Sequence, residues 1–111
     1  MSEDFTIISE LNNNILVLKT NGYINNTGGE KIAQEFSKHQ DSVKKVVIDL
    51  EKSNVVNSIG ISYLLEIVES LNESGGKLFF TNLDPTIEKT FQIMGIFQFA
   101  EKTDSIDSVV G

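Results

Sequence analysis

The chain has 111 residues, with 9 Lys and Arg against 16 Asp and Glu for a net charge of −7, one His, one Pro, no Cys and no Trp. Without Cys there is no disulfide framework, thiolate metal site, Cys nucleophile or iron–sulfur ligation. An acidic chain whose only adjacent basic pair is Lys44-Lys45 repels a phosphate backbone, so no direct nucleic-acid contact is expected.

One domain over residues 1–111 is expected, burying roughly two-thirds of the surface that the unfolded chain exposes. The apolar runs fall far short of the ~20 residues that cross a bilayer, and Met1-Ser2-Glu3-Asp4 lacks the basic end of a signal peptide. A soluble, cytoplasmic protein with no membrane span is the expectation.

Phe5 to Ser9 and Ile15 to Thr20 are apolar segments separated by Leu11-Asn12-Asn13-Asn14, which predicts a β-hairpin, because Asn readily takes turn conformations. Asn21-Gly22 breaks the pattern. Thr27-Gly28-Gly29-Glu30 has the spacing of a capping box, with Thr27 as N-cap and Glu30 reaching back. The helix that follows carries Ile32, Ala33 and Phe36 on its apolar stripe, and the polar stretch from Ser37 to Ser42 ends it.

Val46-Val47-Ile48-Asp49-Leu50 is β-branched and nearly continuously apolar, the pattern of a central strand buried on both faces. Ile61, Leu64, Leu65, Val68 and Leu71 then fall at the spacing of an amphipathic helix, which Gly75-Gly76 closes. Lys77 to Thr81 reads as the next buried strand. Asp84-Pro85 is an N-cap followed by Pro at the first helical position, where its missing N–H costs nothing. Ile87, Phe91 and Met94 continue that helix to Gly95. Phe97 to Ala100 is expected as a last short strand, and Thr103 or Asp104 as the cap of a terminal helix carrying Ile106, Val109 and Val110. The order ββαβαβαβα belongs to the α/β class: a mostly parallel sheet begun by a β-hairpin, with right-handed crossovers and helices packed against it.

Little here supports catalysis. His39, the one imidazole, lies in the polar run Ser37-Lys38-His39-Gln40 and reads as a solvated side chain. Glu66 and Glu69 lie on the polar side of an amphipathic helix, while Glu10, Glu30, Asp41 and Glu101 fall in turns or caps. Gly28-Gly29 and Gly75-Gly76 lack the Lys-Ser/Thr that completes a phosphate loop. No cofactor or metal site is expected, and an enzyme or ligand-binding domain ranks last among the readings.

The stretch that stands apart is Val55-Val56-Asn57-Ser58-Ile59-Gly60-Ile61, which joins the central strand to the clearest helix. Sites in parallel α/β sheets gather beyond the carboxyl ends of strands, where a helix N-terminus offers free N–H groups and partial positive charge. Ser58 falls at or near the N-cap, and two readings stand: a capping hydroxyl, or an exposed acceptor for a phosphoryl group.

The strand Val46 to Leu50, the loop to Asn57-Ser58-Ile59-Gly60, the helix with Leu64-Leu65, Gly75-Gly76, Gly22 after the second strand, and Met94-Gly95-Ile96-Phe97 together resemble the STAS domain, and within it the bacterial anti-sigma factor antagonists. The likeness covers essentially the whole chain. In that family the central motif reads Asp-Ser-Ser/Thr/Ala-Gly, and its first Ser is phosphorylated by a partner kinase. Ser58 and Gly60 match, whereas Asn57 and Ile59 depart. In Gly22-Tyr23-Ile24-Asn25, Asn25 stands where the family usually has Asp, so two acids have become amides.

The resemblance implies partner switching. The unphosphorylated antagonist binds an anti-sigma factor serine kinase with a histidine-kinase-like ATPase fold, is phosphorylated by it at Ser58, and is restored by a metal-dependent protein serine phosphatase. The chain would then be a substrate and not an enzyme, and its partner-binding residues would be Asn25, Asn57, Ile59, Gly60 and Tyr63. On a helical projection Ile59 and Tyr63 point away from the Ile61, Leu64, Leu65 and Val68 stripe. They are either solvent-facing anchors for a partner or side chains covered by a neighbouring element. The alternative function is a constitutive interaction or scaffold subunit in which Ser58 only caps its helix.

Overall fold

Asn13 takes a left-handed backbone conformation, φ 58°, which Asn tolerates better than most residues. That turn folds β1 (Thr6–Asn12) back onto β2 (Ile15–Asn21) in antiparallel register, with Asn12 opposite Ile15 and Thr6 opposite Asn21. The expected hairpin is present, but its turn needs only Asn13 and Asn14, so Leu11 and Asn12 belong to the strand. The computed structural model describes residues 5–110; the acidic start Met1 to Asp4, on which the signal-peptide reading rests, lies outside them.

Three further strands, β3 (Lys45–Lys52), β4 (Lys77–Thr81) and β5 (Glu101–Lys102), extend the sheet in the order β1-β2-β3-β4-β5, parallel from β2 onward. The β-branched run Val46 to Leu50 is buried throughout in the central strand, as its composition requires.

Side chains alternate along a strand, so Leu16 and Leu18 of β2, Val46, Ile48 and Leu50 of β3, and Leu78 and Phe80 of β4 mark one face. The same core takes Ile32 and Phe36 from α1 (Asn26–His39), Ile61, Leu64, Ile67, Val68 and Leu71 from α2 (Ser58–Ser74), and Ile87 and Phe91 from α3 (Pro85–Met94). Three helices therefore cover one face. The C-terminal segment ending in α4 (Asp107–Val110) meets the opposite face, where Ile106 and Val110 line a cleft with Val17 and Lys19. Among the described residues no helix is long and apolar enough to cross a membrane.

Local signals place most boundaries. Gly75 and Gly95 end α2 and α3 in the left-handed conformation, φ 82° and 78°. Asp84 accepts from the Thr86 N–H at 2.8 Å with Pro85 at the start of α3.

Two C-terminal expectations change. Residues 96–98 form a 3-10 turn and not a strand, because Gly95 reverses the chain and the Phe97 ring packs edge-on to Phe80 and Phe91, with centroids 6.5 and 6.0 Å away. The strand falls instead at Glu101–Lys102. The Thr103 N–H still bonds to the Phe80 carbonyl at 2.8 Å, and it is the Ser105 hydroxyl that accepts from the Ser108 N–H before α4, so neither Thr103 nor Asp104 is the cap.

Candidate partner-binding site around Ser58

The loops that follow β2 and β3 leave the carboxyl ends of adjacent parallel strands, and their backbones remain joined beyond the sheet. Gly22 donates to the Lys52 carbonyl at 3.0 Å, Ile24 to Val55 at 3.0 Å, and Asn57 to Ile24 at 3.2 Å. The last two make a one-residue parallel bridge between Ile24 and Val56. Gly22 sits at φ 117°, a conformation that L side chains rarely adopt. Beneath the loops, the buried hydroxyls of Thr20 and Ser53 lie 2.7 Å apart in a hydrogen bond. Extending the bridge by one residue each way sets Tyr23 beside Val55 and Asn25 beside Asn57.

Both loops end in an asparagine that starts a helix. The Asn25 side-chain oxygen accepts from the Gly28 N–H at 3.0 Å to cap α1, and that of Asn57 accepts from the Gly60 N–H at 2.8 Å to cap α2. This corrects the reading of Thr27 as N-cap: Asn25, two residues earlier, satisfies the orphan N–H, and Thr27 is exposed within the first turn. It also removes the reading of Ser58 as the capping hydroxyl. Asn57 holds the cap, Ser58 is the first helical residue, and its side chain is exposed. An amide oxygen can cap as a carboxylate does but brings no charge, so the two sites keep their geometry while lacking the acid.

Glycines set how closely the elements approach. A Cβ on Gly60 would overlap the Ile24 carbonyl, and one on Gly28 would stand 2.6 Å from the Tyr23 carbonyl oxygen. A Cβ on Gly29 would come within 2.7 Å of the Tyr63 ring. The pair Ile59 and Tyr63 therefore separates: Ile59 is 50% exposed, whereas α1 lies against Tyr63 and leaves it half-buried.

Sequence reasoning did not single out Tyr23 or Val55 as binding residues, yet they are 44% and 48% exposed. Their signal in the sequence is faint: each is a large apolar residue in a loop, and only the cross-loop bridge makes them neighbours. No Asp, Glu, Lys, Arg or His occurs from Thr20 to Gly29 or from Ser53 to Leu65, so the joined loops carry no formal charge at neutral pH. His39 lies at the far end of α1, about 20 Å along the axis from Asn25 at 1.5 Å per residue. Among the described residues no group of three or more His, Asp or Glu is placed to hold a metal ion.

The STAS domain profile matches residues 6–109. The chain belongs to the STAS domain family. Among sequence relatives of this STAS chain is BtrV of Bordetella bronchiseptica, named for anti-sigma factor antagonism, at 26% identity over 82 residues, which is 73% of this chain and 71% of BtrV. Solved structures share the fold. The unphosphorylated anti-sigma factor antagonist SpoIIAA superposes with a TM-score of 0.73 at 20% identity, covering 95% of this chain and 92% of that one. The phosphorylated form of SpoIIAA, from Bacillus, gives 0.74 at 20% identity, covering 94% and 96%. An anti-sigma factor antagonist from Mycobacterium paratuberculosis gives 0.80 at 20% identity, covering 95% and 90%.

Proposed function

We propose that this STAS chain is a cytoplasmic anti-sigma factor antagonist that binds an anti-sigma serine kinase and is switched by reversible phosphorylation of Ser58. The observation that carries the reading is the state of Ser58: first residue of α2, exposed, and relieved of capping by Asn57. That the same fold is solved for SpoIIAA in both unphosphorylated and phosphorylated forms supports it.

The chemistry asks little of this chain beyond presenting a hydroxyl. The Ser58 oxygen forms a bond to the γ-phosphorus of ATP held by the kinase, the bond to the β-phosphate oxygen breaks, ADP leaves, and the hydroxyl proton passes to a base of the kinase. The product carries about −1.5 to −2 charges at the start of α2, where the free N–H groups of the first turn and the helix dipole receive it without unfolding the domain. A metal-dependent phosphatase restores the hydroxyl by hydrolysis. The chain is thus a substrate and not an enzyme.

Incubation with ATP and the histidine-kinase-fold serine kinases of the source genome, followed by mass spectrometry, tests this. Phosphate on Ser58 is expected; phosphate only elsewhere, or none with any of these kinases, ends the switch. Ser58→Ala is expected to keep kinase binding and Ser58→Asp to lose it. Equal binding by both variants and wild type would instead fit a constitutive scaffold.

A further inference from the structure

The Ile24–Val56 bridge joins two uncharged stretches, residues 20–29 and 53–65, and the second is the longest uncharged stretch in a chain of which 23% is charged. The formal charges behind the net charge of −7 therefore lie outside these two stretches. The two helix caps within these stretches, Asn25 and Asn57, are amides and add no charge.

Among the uncharged polar side chains of this surface, such as Asn54 and Ser62, stand three large apolar ones that are exposed. Val55 lies three residues before Ser58 and is 48% exposed, Ile59 follows Ser58 directly at 50%, and Tyr23, at 44%, is set beside Val55 by the bridge register. They stand on a rigid base, since three backbone hydrogen bonds and the Thr20–Ser53 pair tie the loops together, so little conformational entropy remains to be lost on docking.

Resting on the reading of Ser58 as a kinase substrate, we infer that the surface docks against an uncharged, apolar hollow of the kinase, with Tyr23, Val55 and Ile59 as its anchors. Affinity then comes from desolvated apolar contact and not from charge pairing, so association lacks the electrostatic steering that salt would screen. Phosphorylation brings the first formal charge into a contact that has none to answer it, and release follows from the desolvation of the phosphate. Recognition through Asp at positions 25 and 57 would have the opposite signature, a binding constant that falls steeply with salt.

The test uses the kinase that phosphorylates Ser58, with binding of the full chain measured by calorimetry between about 50 and 500 mM salt, a range that shortens the Debye length from above to below the size of the contact. The expected change in Kd is no more than about threefold. Tyr23→Ala and Val55→Ala, checked for unchanged melting, are each expected to weaken binding about tenfold or more, while Ile93→Ala, on the exposed end of α3, leaves it unchanged. Asn57→Asp, which keeps a cap, is expected to weaken binding. A Kd that rises by more than tenfold with salt, or folded Tyr23 and Val55 variants that bind as wild type does, would overturn the inference and leave the Ser58 switch standing. A wild-type chain that no kinase binds or phosphorylates would overturn both.

Discussion

Gly60 lies so close to Ile24 that a methyl group on it would overlap the Ile24 carbonyl. The obstructing atoms are backbone and cannot rotate away, so the start of α2 and the loop after β2 stay joined only while position 60 lacks a side chain. The same contact shelters the hydrogen bond from the Asn57 N–H to that carbonyl.

Gly60→Ala is therefore expected to destabilise the domain by about 1–3 kcal/mol, the usual range for overpacking a close contact. Urea unfolding gives the stability, and amide exchange at Asn57 gives the local effect. Wild-type stability together with wild-type protection of the Asn57 amide would show that the joined loops accommodate a methyl group at position 60 without parting.

The two asparagine caps separate geometry from charge. Asn57→Ala removes the acceptor for the Gly60 N–H and is expected to cost about 0.5–2 kcal/mol. Asn57→Asp keeps the acceptor and adds a negative charge at the positive end of the helix dipole, so it is expected to match or exceed wild type by about 0.3–1 kcal/mol at low salt. Thermal unfolding of the two variants should place Asp above Ala; the reverse order would mean that a negative charge at position 57 costs the fold more than the restored cap returns.

Most of the fold was legible because its signals are local. The β-branched run of β3, the apolar spacing of α2, Asp84-Pro85 before α3, and the glycines at 75 and 95 each act within a few residues, and each appears where its chemistry places it. What was not legible depended on distant partners. Phe97 sits in an apolar string that reads as a strand until Phe80 and Phe91 claim its ring. Asn25 and Thr27 are both competent caps two residues apart, and the choice is made by a loop held to Val55 and Asn57. The place of Ser58 at the start of α2 and the outward face of Ile59 were readable from the helical spacing and projection. Tyr63 was not, because its cover is Gly29 on another helix, and Tyr23 and Val55 were not, because two loops without periodicity gave no sign that they pair.

The Thr20–Ser53 pair is a buried hydroxyl contact at 2.7 Å that ties the ends of β2 and β3 beneath the site. Thr20→Val keeps the shape but leaves the Ser53 hydroxyl buried without that partner, at an expected cost of about 1–3 kcal/mol. Adding Ser53→Ala removes the unpaired group, so the double variant should be less destabilised than the sum of the singles. A double-mutant cycle from urea unfolding measures the coupling; additive effects would mean that the two hydroxyls contribute independently.

Glu35 on α1 gives the stability a pH dependence with a definite sign. Its carboxylate accepts from the Lys38 ammonium at 2.6 Å and from the Ser9 hydroxyl of β1, and these two bonds, Lys38 first, hold its pKa below the ordinary carboxylate value. A carboxylate depressed in the folded state contributes stability that is fully present above the unfolded value of about 4.3 and is lost as pH falls through the lower folded value. Glu35→Gln removes the titration. The stability difference between wild type and Glu35→Gln is therefore expected to be greatest near neutral pH and to shrink as the solution is acidified below the unfolded value. Urea midpoints for both proteins across that range provide the check. Parallel curves would show that the charge of Glu35 does not bind β1 and α1 together and that its contact with Ser9 acts as a neutral hydrogen bond.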